Sequence, residues 1–190
     1  DPEIEARFGR AVELEGPRLV VSSSRKTVNG IAGGIPGAGE VSSFLLLPEG
    51  GFLMGPKLTA PEPQAETGFG SSLGLSGNTL IVGAQFQDGE DSSEGATYVF
   101  ENNSSSLAWR FGEMLKPVAE ANGAQMGNAV AISGDLFASA ASSQALDGVV
   151  QVGRIYPYHR RSLDWRYQRG PGVQSSLVSA DEEGISAEMG

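Results

Sequence analysis

The sequence predicts an all-β chain of repeated four-stranded antiparallel sheets, that is, β-propeller blades. Three observations carry this expectation. A pair made of Phe or Met followed by Gly returns about every 60 residues, at Phe8-Gly9, Phe69-Gly70, Met126-Gly127 and Met189-Gly190. Self-similarity at such a period is the signature of a repeat architecture. Gly supplies 27 of the 190 residues, about twice the usual ~7%, which implies many turns and short strands. No stretch carries convincing helical periodicity.

The second unit shows the pattern most clearly. Ser72 to Leu75 alternates polar and apolar, as a half-buried strand does. Ser76-Gly77-Asn78 is a tight turn, since Gly and Asn tolerate positive φ. Thr79 to Ala84 is a continuous apolar run and predicts a strand buried on both faces. After a polar loop from Gln85 to Glu94, Gly95 to Phe100 is a third strand. Asn102 to Ser106 is a turn, and Leu107 to Leu115 is the fourth strand. In the first unit Leu19–Ser22, Glu40–Leu47 and Phe52–Leu58 take strands two to four. In the third unit Leu136–Ala140, Val149–Tyr158 and Leu163–Tyr167 do so, and Trp165 matches Trp109. The expected organisation is 1–8 as the end of a preceding blade or loop, 9–69 as blade-like repeat one, 70–126 as repeat two and 127–190 as repeat three. Repeat three ends at the start of a further repeat.

A blade cannot bury both faces alone, and propellers close at roughly four to eight blades. Three blades are therefore expected to be an arc of a six- or seven-bladed propeller. The expected partners of the arc are the remaining blades or a second copy.

Composition narrows the chemistry. The chain has no Cys and one His, which excludes disulfides, thiolate metal sites and His-rich centres. Net charge is −10, which argues against nucleic acid as a partner. No run of 18 apolar residues predicts membrane insertion, and Asp1 to Glu5 does not read as a signal or transit peptide. No nucleophile–base pair stands out, so the chain reads as non-catalytic.

Phe69-Gly70 followed by Ile81-Val82-Gly83-Ala84 resembles the FG-GAP repeat, the blade unit of integrin α-subunit propellers. The resemblance covers nearly the whole chain. The first unit has Val21-Ser22-Ser23 and the third has Ser139-Ala140-Ala141 where Val-Gly-Ala is expected. The family packs this turn against the next aromatic-Gly pair, so small residues are what matter there. The resemblance implies an extracellular or cell-surface location and a protein or glycan ligand. Many integrin-type blades carry a calcium loop between strands one and two. Here that connection has shrunk to a short hairpin, which cannot supply the six or more oxygens that calcium takes. No cofactor is therefore expected.

The long loops between strands two and three share one rim in a propeller, and rims are where partners bind. The candidate binding residues are Asn29, Gly30, Gln85, Phe86, Asp88, Ser143, Gln144 and Asp147. Gly30 to Gly39 reads as a long flexible connection and not as a phosphate loop, because no Gly-Lys-Ser/Thr follows. Asp88, Glu90 and Asp91 form the densest acidic run, a weak candidate for a hard cation against the reading of a solvated loop. His159-Arg160-Arg161 is a basic cluster that reads as a polar turn, with anion binding as the alternative. Asn102 and Asn103 open overlapping glycosylation sequons. Two further readings are a structural segment of a larger assembly and a propeller hydrolase built on paired carboxylates.

Overall fold

A computed structural model describes residues 6–31, 33–89, 92–103, 107–117, 122–145, 149, 151–160 and 167–172. Among these residues there are strands and no helix, and three sheets each hold four strands. The first sheet contains β1 (Phe8–Glu15), β2 (Arg18–Ser23), β5 (Glu40–Leu46) and β6 (Phe52–Met54), with a small hairpin of β3 (Val28–Gly30) and β4 (Gly33–Ile35) inserted between β2 and β5. The second contains β7 (Phe69–Ser76), β8 (Thr79–Ala84), β9 (Ala96–Asn102) and β10 (Trp109–Leu115). The third contains β11 (Met126–Ser133), β12 (Leu136–Ala141), β13 (Arg154–Arg160) and β14 (Tyr167–Arg169). Strands follow one another in chain order and pair antiparallel, which is the arrangement of propeller blades.

The core lies between the sheets. One cluster joins Val20, Val41 and Leu58 to Phe69, Leu73, Leu80, Val82, Tyr98 and Phe100. A second joins Ile81 and Val99 to Met126, Phe137, Tyr156 and Tyr158. Strand β8 feeds both: Leu80 and Val82 face the first sheet, and Ile81 faces the third. All six of its residues are buried, as its unbroken apolar run predicts. Burying side chains of this size stabilises by about 1.5–3 kcal/mol each.

The repeated dipeptide is a knob, and the preceding sheet supplies its socket. Phe69 and Met126 are fully buried. Their N–H groups donate to Ala38 O (3.2 Å) and Glu94 O (3.0 Å) of the preceding unit. The socket is lined by backbone. A Cβ on Gly95 would stand 2.3 Å from Met126 N, and a Cβ on Gly83 would stand 1.9 Å from Gly127 O. This explains why small residues persist there. In the first unit Ser22 takes the place of Gly83, and the Cβ position of Gly70 is 2.7 Å from Ser22 Cβ.

Phe8 has no described sheet before it and is 65% exposed, and Val12 and Leu14 are exposed beside it. The far side of the third sheet likewise exposes Leu136 and Ile155.

Several boundaries differ from expectation. The fourth strand of the first unit stops at Met54 and does not run to Leu58. The chain bends at Gly55-Pro56, and Leu58 returns to pair with Val41 through two hydrogen bonds (2.8 and 2.9 Å). Strand β13 begins at Arg154 instead of Val149, because Gly153 sits at φ 77°. Strand β14 starts at Tyr167, and the expected start at Leu163 and the matching Trp165 lie outside the described residues. The Gly30–Gly39 segment is no featureless connection. Val28 pairs with Ile35 and is buried, which anchors the β3–β4 hairpin. Asn102 ends β9 and is not part of the turn after it.

Tyr98 and Tyr158 lie in the two inter-sheet clusters. Burial pushes each phenol up from 10.0 to about 12. At Tyr98 the Glu62 charge adds to this, and at Tyr158 Arg169 partly opposes it. The folded chain thus holds both phenols neutral where the unfolded chain would ionise them. Their contribution is complete below pH 10.0 and is lost as pH rises through about 12. Each is worth roughly 2–3 kcal/mol at most. The expected result is a urea midpoint that falls as pH rises past 10.0, with the fall reduced in Tyr98→Phe.

Candidate functional site: the loop rim between the first two blades

The loops between second and third strands fold back onto the segments that lead into each first strand. Arg25 N–H donates to Ala6 O (3.2 Å), Phe86 N–H to Thr67 O (3.1 Å) and Ser143 N–H to Ala124 O (3.2 Å). These equivalent bonds gather both kinds of loop on one rim. The opposite rim holds the hairpins between first and second strands. Their loops are two residues long, Gly16-Pro17, Gly77-Asn78 and Gly134-Asp135. The Gly77 N–H donates to Glu15 Oε2 (2.6 Å) and the Gly134 N–H to Ser76 Oγ (3.0 Å), so each hairpin is tied to the preceding one.

Two concavities open where the first and second units meet. A pocket of about 60 Å³ is lined by Arg7, Arg10, Arg25, Glu66, Gln85 and Phe86, among others. A groove of about 480 Å³ is lined by Glu62, Asp88, Tyr98, Phe111, Met114 and Lys116, among others. Phe111 and Met114 of β10 are partly exposed along its wall. Lys116 Nζ lies 2.8 Å from Glu94 Oε1 at its edge.

The candidate residues divide accordingly. Gln85 and Phe86 line the pocket, and Asp88 lines the groove. Asp88 Oδ1 also accepts from the Ser93 N–H (2.6 Å), which closes its own loop. Asn29 is exposed in β3, and Gly30 follows it. Ser143 is half-buried, and its hydroxyl donates to Gln125 Oε1 (3.4 Å). Gln144 does not present its side chain to solvent: it is buried and accepts from the Tyr156 hydroxyl (2.5 Å). Gln87 accepts likewise from Tyr98 (2.9 Å), so this pair is a repeated internal brace. Glu90, Asp91 and Asp147 lie outside the described residues. The Asn102 amide is buried and donates to Ala108 O (2.9 Å), whereas Asn103 is exposed.

Of the basic cluster read at His159-Arg160-Arg161, His159 is exposed in β13 and Arg160 is engaged between the sheets. Arg160 pairs with Glu101 of the second sheet and lies 3.9 Å from Asp135, and Arg161 lies outside the described residues. Arg7, Arg10, Glu62, Phe111 and Met114 escaped sequence reasoning. Arg7 and Arg10 meet Arg25 at the pocket, and Glu62 meets Phe111 and Met114 at the groove, only once the chain has folded.

Four-stranded sheets joined through a recurrent knob of Phe or Met followed by Gly define a repeat of the propeller-blade class. Residues 56–100 match the FG-GAP repeat family, so the chain carries an FG-GAP repeat there. The matched span runs from the bend at Pro56 through the Phe69-Gly70 knob to β9, and the two flanking sheets repeat its geometry. No curated protein matches the chain.

Proposed function

We propose that the chain is a non-catalytic binding and scaffolding module, part of an extracellular or cell-surface propeller that holds a protein or glycan ligand at its loop rim. The observation that carries this reading is the convergence of Gln85, Phe86 and Asp88 on two concavities at one blade junction. FG-GAP repeats typically occur in extracellular or surface proteins, and the exposed Asn103 sequon is compatible with that setting. The open apolar faces at Phe8, Val12 and Leu14 and at Leu136 and Ile155 suit further blades or a second copy. Those same faces support a second reading, a structural segment docked within a larger assembly.

Peptide and glycan arrays probed with the protein test the proposal. Binding is expected to weaken about tenfold, or about 1.4 kcal/mol, when Phe86→Ser and Asp88→Ala remove rim contacts. Hits that ignore both substitutions would move the function away from this rim. Turnover of any arrayed glycan would overturn the non-catalytic reading.

A further inference from the structure

Three arginines share the small rim pocket in a chain whose net charge is −10. Arg25 is 3.4 Å from Glu66, and both side chains are largely exposed, so this pair is weak. Among the described residues no carboxylate lies within ion-pair distance of Arg7 or Arg10. Ser24, Ser71 and Gln85 add neutral hydrogen-bonding groups to the same walls.

The repeats provide an internal control on these positions. Arg7 precedes the knob at positive φ (55°), as Gly68 (66°) and Gln125 (58°) do. Arg10 donates its N–H back to Arg7 O (3.1 Å), as Ser71 does to Gly68 O (2.8 Å) and Asn128 to Gln125 O (3.2 Å). Arg25 makes the rim bond that Phe86 and Ser143 make in their units. The scaffold therefore accepts Gly or Gln, Ser or Asn, and Phe or Ser at these places. Only the first unit has arginine at all three. The fold of the blade therefore does not depend on arginine at these places.

We propose that this pocket binds an oxyanion, a carboxylate or a sulfate ester carried by an acidic ligand. Guanidinium forks hold such groups through paired charge-assisted hydrogen bonds. The volume of about 60 Å³ admits one such group and leaves the rest of the ligand outside. Phe86, 37% exposed at the pocket wall, offers an apolar surface to that remainder. The inference rests on the binding-module reading of the rim and adds the chemistry of what is bound.

Titration calorimetry with inorganic sulfate, glucuronate and neutral glucose tests it. The variant Arg7→Gln/Arg10→Asn/Arg25→Ser installs the third unit's own residues, and circular dichroism checks its fold. Wild type is expected to bind sulfate or glucuronate and not glucose, more weakly as salt rises. The triple variant is expected to lose at least about tenfold in affinity. Glu66→Gln, which frees Arg25, is expected to tighten binding. Glucuronate alone would identify a carboxylate, and sulfate alone a sulfate ester. If the triple variant does not fold, Arg10→Asn on its exposed side chain serves the same purpose. Absence of binding by both anions, or equal binding by wild type and variant, overturns the inference. Neutral array ligands that still bind the triple variant would leave the binding module standing without its anion site. Anion binding with no arrayed ligand at the rim would do the reverse.

Discussion

Phe69→Ala is expected to destabilise the protein by about 3–5 kcal/mol. The same change one unit earlier, Phe8→Ala, is expected to stay within about 0.5 kcal/mol. The two residues hold equivalent places in sequence, at the start of β7 and of β1. Their surroundings differ. Phe69 is fully buried and meets Tyr98 and Phe100 edge-on, with ring centroids 5.3 and 5.9 Å apart. Phe8 is 65% exposed. Truncating Phe69 leaves a cavity between two sheets that cannot collapse without parting their backbones. Urea midpoints of the two variants measure the difference. Equal losses would mean that Phe8 is also seated in a socket, and a loss that varies with protein concentration would place that socket on a second copy.

Gly127→Ala should be nearly as damaging, at about 3–5 kcal/mol. Its φ is +84°, and an added Cβ would stand 2.3 Å from Ala96 O and 3.0 Å from Gly83 Cα. Both contacts are backbone, so no side chain can swing aside. The comparison is Gly77→Ala. Gly77 also has positive φ (+55°), but nothing lies within 4 Å of the added methyl. It should cost only about 1–2 kcal/mol, the conformational term alone. The excess at Gly127 measures the closeness of sheet-to-sheet approach. If the two losses match, the second and third sheets are not in the contact described.

The repeat and its blades were legible because they rest on short-range signals. The unbroken run Thr79–Ala84 demanded cover on both faces, and Gly77-Asn78 demanded a tight turn. The knob was legible for the same reason, since its Gly recurs with small residues about a dozen positions on. The β3–β4 hairpin was not legible. Its strands have three residues each and are rich in Gly, so they carry no alternation. Gln144 and Asn102 misled because polar residues near loops are normally solvated. Here Tyr156 and Ala108 O supply partners inside the protein. The site was half legible. The loops and Asp88, Gln85 and Phe86 could be placed on one rim. The residues that give the pocket its charge could not, because Arg7, Arg10 and Arg25 converge only after the chain has folded back through Ala6.

The knob and its socket lie on opposite faces of each blade. Phe69 reaches back to Ala38 while Gly95 of the same sheet waits for Met126. Such a contact is heterologous: the two surfaces that meet are never the same surface. An array built this way has a direction, like a chain of hooks and eyes. Growth in one sense can close into a ring or run on as a filament, and two copies can pair through these faces only by forming both junctions at once, about the axis of a closed ring. A dimer whose two-fold axis lies anywhere else would have to use the rims or the outer strands. The geometry of one dipeptide thereby restricts which symmetries the whole assembly can adopt.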